Sequence, residues 1–270
     1  MVNQTSENRI DLTFSRLRKR GEKALITYVM AGDPSVSSTL KIIKALEAGG
    51  SDIVELGVPF TDPLADGHVI QKAAARGLKG GATLARIFSL VHTLRKKSAI
   101  PVILMSYYNP ILQYGDERFR RDARKAGVDG VIIPDLPAGE LPSFSEAARK
   151  SGLKTIFLLA PTSSPGRIRK VAKESTGFIY YVPLTGITGS KLTLSREIGE
   201  MTGKIKRASN LPVAIGFGVS NPREARAISR FADGVIVGSA IVRRIEETPK
   251  SSLLPALKSF IRSLKNALQK

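Results

Sequence analysis

The side chains available for chemistry in this chain are limited. The sequence has no cysteine and two histidines, His68 and His92. It therefore has no disulfide framework, no thiolate metal site and no cysteine nucleophile. His92 lies among polar residues of a predicted helix and His68 has no partner carboxylate at a fixed spacing, so neither is assigned a catalytic or metal-binding role. Catalysis by this chain must use carboxylates, hydroxyls, lysines or backbone groups.

Glu55 is the leading candidate for acid–base chemistry. It closes the apolar run DIVELG and is flanked by Ile53, Val54 and Leu56. An apolar setting disfavours the ionised carboxyl and raises its pKa toward the range that general acid–base catalysis uses. A structural ion pair between Glu55 and a lysine or arginine is the alternative interpretation, and the spacing alone does not separate the two.

Other carboxylates and tyrosines also stand at the ends of apolar runs. Asp66 lies in the loop GVPFTDPLADG that follows Glu55, Asp135 ends the run DGVIIPD, and Tyr180 and Tyr181 lie in GFIYYVP. Asp66 could be only a turn or cap residue before the next helix, since aspartate favours both positions. Asp135 stands between two prolines and is interpreted as a supporting residue.

Glycines cluster after three consecutive apolar runs in the last third of the chain. The clusters are Gly186 and Gly189 in TGITGS, Gly216 and Gly218 in IGFGVS, and Gly238 with Ser239 in VIVGSAIV. Phosphate groups bind to exposed backbone N–H groups and helix N-termini, and glycine has no Cβ to keep the backbone at a distance. Tight turns use glycine as well, but three clusters in series predict an anion site.

Eight short apolar runs alternate with amphipathic segments along the chain. The runs are 24–32, 52–57, 101–107, 129–135, 153–161, 177–183, 212–218 and 233–238. Most are apolar at consecutive positions, which is typical of parallel strands covered by helices on both faces. The segments between them are interpreted as crossover helices and are 36–48, 84–96, 118–126, 141–150, 165–174, 195–208 and 222–229.

This alternation predicts an α/β fold, a (β/α)8 TIM barrel that forms a single domain over residues 1–270. A doubly wound open sheet is the competing architecture, but no GxGxxG follows the first run. Residues 14–21 are predicted to form an extra N-terminal helix at the bottom of the barrel. The interval 56–100 leaves room for a second helix, around 69–78, and residues 253–268 form a last amphipathic helix.

The composition is that of a globular protein with a basic surface. Hydrophobic residues make up 42% and charged residues 24%, and the formal net charge is +19. This charge raises nucleic acid, acidic membranes and anionic metabolites as partners. Few aromatics stand among the basic residues and no recognition motif is present, so a nucleic-acid-binding protein is kept only as a weak alternative. With no secretory signal and no apolar run of membrane-spanning length, a cytoplasmic protein without membrane contact is expected.

The loop ELGVPFTDPLADG resembles a motif of the tryptophan synthase alpha subunit family. The similarity continues in the same order over essentially the whole chain, in ITYVMAGDPS, PVILMSYYNPILQYG, GVIIPDLP, LLAPTSS, TGITG, IGFGVS and VIVGSAIV. The resemblance implies a TIM-barrel lyase of L-tryptophan biosynthesis, which cleaves indole-3-glycerol phosphate to indole and glyceraldehyde 3-phosphate by a retro-aldol reaction. It implies no metal and no organic cofactor.

The resemblance also implies roles for individual residues. Glu55 matches the family's catalytic glutamate, Asp66 matches the aspartate that accepts a hydrogen bond from the indole N–H, and Tyr180 matches a tyrosine beside the site. The matches to the backbone phosphate ligands are Gly189, Gly218, Gly238 and Ser239, and the matches to the indole and glycerol pocket are Tyr28, Leu104, Thr188 and Phe217. Two positions depart from the family, Pro183 in place of serine and His68 in place of proline.

The implied partner is the tryptophan synthase beta subunit, in an α2β2 heterotetramer. In the family, the loop with Pro59, Phe60 and Asp62 and the segment 107–114 face the beta subunit, and this sequence retains both. A free-standing lyase with the same chemistry and no beta partner is the alternative, which the sequence barely separates from the first interpretation.

Overall fold

A single parallel sheet organises the protein, whose computed structural model describes residues 8–183, 191–216 and 218–269. Its nine strands are β1 (Ala24–Met30), β2 (Ile53–Gly57), β3 (Val102–Met105), β4 (Gly130–Ile132), β5 (Lys154–Ile156), β6 (Leu158–Leu159), β7 (Ile179–Tyr181), β8 (Val213–Gly216) and β9 (Gly234–Val237). The spatial order is β5-β4-β3-β2-β1-β9-β8-β7-β6. Each of the eight predicted runs therefore contributes to one sheet.

The apolar run 153–161 supplies both end strands of this order, β5 and β6. β5 pairs with β4, β6 pairs with β7, and Phe157 separates β5 from β6. The Phe157 carbonyl accepts a hydrogen bond from the Tyr180 N–H at 3.1 Å. Residues 154–159 thus carry the sheet from β4 across to β7, which confirms the predicted TIM barrel and explains why eight runs give nine strands.

Twelve helices lie in the described part of the chain. They are α1 (Arg9–Lys19), α2 (Val36–Gly49), α3 (His68–Lys79), α4 (Leu84–Arg95), α5 (Tyr108–Tyr114), α6 (Asp116–Ala126), α7 (Pro142–Lys150), α8 (Pro165–Glu174), α9 (Lys191–Ala208), α10 (Pro222–Ser229), α11 (Ser239–Glu247) and α12 (Leu253–Leu268). Two helices, α3 and α4, do occupy the interval 56–100. The seven-residue α5 was not predicted, because two turns are too short to display a helical period.

Side-chain caps set the starts of five of these helices, including α1, where Asn8 accepts the Ile10 N–H. Ser35, Thr83, Ser164 and Asn221 accept hydrogen bonds from the backbone N–H three residues onward at the starts of α2, α4, α8 and α10. Each cap satisfies one of the N–H groups that a helix leaves without an internal acceptor. The predicted boundaries therefore follow from local sequence at these positions.

The strands bury both faces, as their composition predicts. Residues on one face pack into the barrel interior, where Ile26, Ile53 and Ile103 belong to a single cluster, and residues on the other face pack under the helices. Ile10, Phe14 and Leu17 of α1 join the interior cluster, with the Phe14 and Phe178 rings 5.7 Å apart. The extra N-terminal helix is confirmed as a plug, although it begins at Arg9 and not at residue 14.

Buried ion pairs tie α1, α4 and α12 to the N-terminal ends of the strands. Asp129 lies 3.0 Å from Arg9 Nε and 2.8 Å from Arg95 Nη2, and Lys265 Nζ lies 2.8 Å from Asp52. No helix among the described residues is both long and apolar enough to span a membrane. That residues 1–270 form one domain remains a prediction.

Candidate active site

Glu55 points into the barrel near the C-terminal end of β2. Its strand neighbours Val54 and Leu56 belong to the helix-facing cluster, and Tyr28 and Ile103 are its register partners on the adjacent strands. Glu55 is fully buried, and neither carboxylate oxygen has a hydrogen-bond partner in the described residues. Burial raises the pKa of Glu55 to about 8. Across residues 8–183, 191–216 and 218–269, no lysine or arginine forms the ion pair that was the alternative interpretation of Glu55.

Asp66 is held at the mouth of the barrel by a turn and by a tyrosine from another loop. Its N–H donates to the Pro63 carbonyl at 3.0 Å, and its side chain accepts a hydrogen bond from the Tyr107 hydroxyl. Tyr107 Oη in turn accepts the Ala65 N–H at 2.9 Å. Gly67, not Asp66, occupies the cap position of α3. The turn interpretation of Asp66 is therefore correct for its backbone, while its side chain makes a tertiary contact.

The environment of Asp66 gives it a different proton affinity from Glu55. Burial raises the pKa of Asp66 to about 6, and the Tyr107 hydroxyl acts in the opposite direction by stabilising the carboxylate. Near pH 7, Glu55 is mostly protonated and Asp66 is mostly ionised. The pair can therefore offer one proton donor and one negative charge at the same time, a division by environment that acid–base sites use.

The side chains of Tyr28 and Tyr180 pack over glycines on the neighbouring strands, close to Glu55 and Asp66. A Cβ on Gly57 would lie 2.2 Å from Tyr28 Oη, and a Cβ on Gly216 would lie 2.4 Å from Tyr180 Oη. Only glycine leaves room for either hydroxyl. Burial raises the pKa of Tyr28 and of Tyr180 well above the usual value, and the charges of Glu55 and Asp66 add to the effect. Both hydroxyls remain neutral donors.

A small cavity lies beside Tyr28 and Asp66. Its lining includes Tyr28, Asp66, Met105 and Tyr107, and the Tyr107 ring packs 5.5 Å from the Phe60 ring. The cavity holds about 10 Å³, which is room for a single water. Admission of a larger ligand requires displacement of lining side chains.

Comparison with known proteins decides the family. Residues 14–269 match the family described as tryptophan synthase alpha chain. The tryptophan synthase alpha chain of Geotalea daltonii is 48% identical over 257 residues, which are 95% of this chain and 97% of that protein. The chain belongs to the tryptophan synthase alpha chain family.

Solved structures of the tryptophan synthase alpha chain family have the same fold. The alpha chain from Legionella pneumophila subsp. pneumophila matches with a TM-score of 0.90 at 36% identity, over 97% of this chain and 98% of that chain. A chain of Mycobacterium tuberculosis tryptophan synthase matches with a TM-score of 0.89 at 34% identity, over 98% of this chain and 100% of that chain. These likenesses extend over the full barrel.

The structure places one pocket residue that the resemblance implies, Leu104, on the face of β3 opposite the cavity. Leu104 is fully buried in the helix-facing cluster, on the side of β3 that points away from the cavity. Met105, the next residue, lines the cavity in its place. A shift of one residue along a strand moves a side chain to the opposite face of the sheet. The motif PVILMSYYNP identified the strand, but it did not fix which of two adjacent apolar residues faces inward.

The predicted phosphate ligands lie partly within the described residues. Gly238 precedes α11, whose first residue is Ser239, and no side chain in the described part of the protein caps this helix. Gly218 has φ +46°, in the left-handed region that favours glycine, and no atom from elsewhere in the described residues lies within 4 Å of where a Cβ would stand. The predicted ligands Thr188, Gly189 and Phe217 lie outside the described residues. The open start of α11 is suited to an anion, as the resemblance to the tryptophan synthase alpha subunit family implies.

Sequence reasoning missed the contact that Tyr107 makes with the Asp66 loop. It appeared only as the first residue of a partner-facing segment, yet its hydroxyl accepts the Ala65 N–H across 42 residues of sequence and contacts the Asp66 carboxylate, which joins the Asp66 loop to the segment after β3. No local pattern signals such a contact. Asp135 fits its predicted supporting role, because its carboxylate accepts the Tyr108 N–H at 2.9 Å, at the start of α5.

Proposed function

We propose that this chain cleaves indole-3-glycerol phosphate to indole and glyceraldehyde 3-phosphate, as the alpha subunit of a tryptophan synthase. The carboxylate pair carries the proposal, because Glu55 is buried without a partner in the described residues while Asp66 is held by Tyr107 at the barrel mouth. Membership of the alpha chain family supports the same reaction. A retro-aldol cleavage needs a proton donor and a stabilised cation, which this pair can supply.

Glu55 would act first as an acid and then as a base. The protonated carboxyl delivers its proton to C3 of the indole ring, which leaves positive charge on the ring. The resulting carboxylate accepts the proton of the hydroxyl on the adjacent glycerol carbon. The carbon–carbon bond then breaks, its electron pair returns to the ring, and the glycerol carbon becomes the aldehyde. A pKa of about 8 suits both tasks near neutral pH.

Asp66 would act electrostatically. Its carboxylate accepts a hydrogen bond from the indole N–H, and this bond strengthens as the ring becomes positive. The Tyr107 hydroxyl holds the carboxylate in place before substrate arrives. Tyr28 and Met105 would pack against the ring, and Tyr180 would border the reacting carbon. The N-terminal N–H groups of α11, with Gly218 and Gly189, would bind the phosphate.

An apolar surface beside the site supports a beta subunit as the partner. Leu64 is 83% exposed in the Asp66 loop, and Leu112 is 53% exposed on α5. A groove of about 460 Å³ lies against the same loop and helix and is lined by Pro59, Phe60 and ten other residues. Exposed apolar side chains grouped around a groove are typical of a protein interface. This is the surface expected to face the partner in an α2β2 heterotetramer.

Indole release tests the proposed function and distinguishes an alpha subunit that depends on its partner from a free-standing lyase. Purified chain is incubated with indole-3-glycerol phosphate, alone and with saturating tryptophan synthase beta subunit, and free indole is measured. We expect slow release alone and faster release with the partner, which contributes to ordering the loop between β2 and α3. Equal rates would support the free-standing lyase. No indole under either condition would refute the proposed reaction, and a Glu140→Gln variant, altered at an exposed carboxylate, controls for general damage.

A further inference from the structure

Three charged side chains outside the reaction site join the two helices that flank it. They are Asp33 after β1, Arg76 on α3 and Glu246 on α11, and we call them the Arg76 clamp. From this geometry we infer that Arg76 is a positioning residue that couples the Asp66 loop to the anion-binding start of α11. The inference rests on the proposed function, because it concerns how that site's two subsites act together.

The Arg76 clamp fixes the guanidinium in one orientation. Arg76 Nε and Nη2 donate to the two oxygens of Asp33 at 2.9 and 2.8 Å, and Asp33 is only 2% exposed. The remaining nitrogen, Nη1, lies 2.8 Å from Glu246 Oε1. A bidentate arginine–carboxylate pair sets direction as well as distance. The second carboxylate therefore binds to a guanidinium that is already held, and the distance between α3 and α11 is set at this point.

Both helices begin at the reaction site and end at the clamp. α3 begins at His68, two residues after Asp66, and the Gln71 side chain donates to the Asp66 carbonyl at 2.9 Å. α11 begins at Ser239, a predicted phosphate ligand. Arg76 lies in the last turn of α3, and Glu246 is the penultimate residue of α11. The Arg76 clamp, at the C-terminal ends of the two helices, therefore opposes movement of the N-terminal end of either helix.

The two helices differ in how firmly the barrel holds them. A Cβ on Gly77 would lie 2.5 Å from the Ala31 carbonyl oxygen, and a Cβ on Gly80 would lie 2.1 Å from that of Gly32. The end of α3 thus packs backbone to backbone against the loop after β1. α11 meets α3 through small apolar contacts, in which Val242 shares a cluster with Ala73 and Ala74. The ion pair to Glu246 adds a directed contact between them.

Coupling follows from this arrangement. An anion bound at the start of α11 restrains that helix, the Arg76 clamp passes the restraint to α3, and Gln71 passes it to Asp66. A ligand that donates an N–H to Asp66 then binds to a loop whose backbone is already held. Phosphate and indole therefore bind cooperatively, and by linkage each tightens the binding of the other by the same factor. The sequence contains no tryptophan, so indole fluorescence reports binding without a background from protein tryptophan.

The test measures the dissociation constant of indole with and without saturating inorganic phosphate, in wild type and in Glu246→Ala. The matched control is Glu247→Ala, which removes the neighbouring exposed carboxylate. Removing Glu246 leaves the pair between Arg76 and buried Asp33 intact, so the fold is retained, and a thermal melt verifies this. We expect phosphate to tighten indole binding roughly five-fold or more in wild type and Glu247→Ala, and to have no effect in Glu246→Ala.

A second variant separates positioning from charge. Arg76→Lys keeps the positive charge but cannot hold two carboxylates in a fixed fork, so the enhancement by phosphate should be lost there too. Full enhancement in Glu246→Ala, or phosphate binding to wild type without any enhancement, would overturn the coupling and leave the proposed function intact. Failure of phosphate to bind wild type at all would instead count against the phosphate site, and with it the coupling.

Discussion

Glu55 and Asp66 are chemically similar residues whose surroundings give them different pKa values. Glu55 lies wholly inside the barrel, whereas Asp66 stands at the mouth with a tyrosine hydroxyl on its carboxylate. Burial raises both pKa values, to about 8 and about 6. The sequence predicts the raised pKa of Glu55 from its apolar neighbours. It does not predict that the pKa of Asp66 is also raised, because the residues that cover Asp66 are distant in sequence.

Glutamine in place of Glu55 separates catalysis from stability. It keeps the volume but cannot exchange a proton, so indole release from indole-3-glycerol phosphate should fall by about 10²- to 10⁴-fold. Between pH 4.5 and about 8, Glu55 is ionised in the unfolded chain but protonated in the native state, so the free energy of unfolding falls as pH rises through that window. Glu55→Gln lacks this loss, and its denaturant midpoint should exceed that of wild type by a margin that grows up to pH 8.

The opposite pattern would contradict this assignment. A Glu55→Gln protein that unfolds more readily than wild type at pH 8 and still releases indole at a comparable rate would indicate a structural glutamate. Glu140→Gln, at an exposed site in the loop after β4, should leave both the rate and the midpoint unchanged.

Tyr107→Phe should move the acid limb of the pH–rate profile. The profile of kcat/KM is expected to rise as Asp66 ionises, near pH 6, and to fall as Glu55 loses its proton, near pH 8. Loss of the Tyr107 hydroxyl removes a hydrogen bond that favours the Asp66 carboxylate, so the acid limb shifts to higher pH while the alkaline limb stays. Tyr108→Phe is the matched control, because its hydroxyl bonds Asp116 at 2.9 Å. A limb that moves equally in both variants would refute the role of Tyr107.

At the scale of elements, the loop after β2 and helix α5 together expose apolar side chains beside the site. Leu64→Asp and Leu112→Asp place charges in this surface and should weaken binding of the beta subunit by about tenfold or more, measured by titration calorimetry. Basal indole release without the partner should change little. Leu12→Asp is the control, since Leu12 is 45% exposed on α1 at the far end of the barrel. Equal loss of binding in all three variants would argue against this interface.

Backbone conformation gives a second test at this scale. Gly218→Val should strain the backbone by about 1–2 kcal/mol, since φ +46° is costly for a β-branched residue. Gly21 has φ +67° at the bottom of the barrel and also has open space at its Cβ position. Gly21→Val therefore imposes a similar strain away from the site. Only Gly218→Val should weaken inorganic phosphate binding, and similar affinities in the two variants would contradict the phosphate assignment.

At the scale of the whole molecule, the two ends of the barrel serve different purposes. The C-terminal ends of the strands carry the site, and α1 fills the N-terminal end. Phe14→Ala removes a ring from the plug and should lower the free energy of unfolding by about 3–5 kcal/mol. Indole release at low temperature should persist, because Phe14 is far from the site. Leu12→Ala, on the exposed face of the same helix, controls for helix propensity, and a Phe14→Ala protein as stable as this control would contradict the plug.

The distribution of charge also follows the barrel. Cations occupy the last turns of α1, α6, α7 and α9, with Arg124 and Lys125 on α6 as one example. Helix C-termini carry partial negative charge, and cations in the last turn stabilise them. Parallel strands direct the C-termini of crossover helices to the end opposite the site. Part of the +19 net charge therefore has a structural reason, independent of any anionic partner.

The sequence by itself determines the elements and their order. Strands buried on both faces must be apolar at consecutive positions, and capped helices must begin at residues such as Ser35 and Asn221, so both leave local patterns. The α/β alternation then permits few architectures besides a barrel. Glu55 is identifiable for the same reason, because the neighbours that raise its pKa are its own strand residues.

Only the tertiary structure decides what lies between distant segments. Strand register decides two features, which are barrel closure through Phe157 and the inward position of Met105 in place of Leu104. The contact of Tyr107 with the Asp66 loop depends on two loops that meet in space. The Arg76 clamp joins residues 43 positions apart and then reaches α11. A sequence pattern reports periodicity within an element, whereas each of these contacts depends on the relative position of two elements, which packing alone sets.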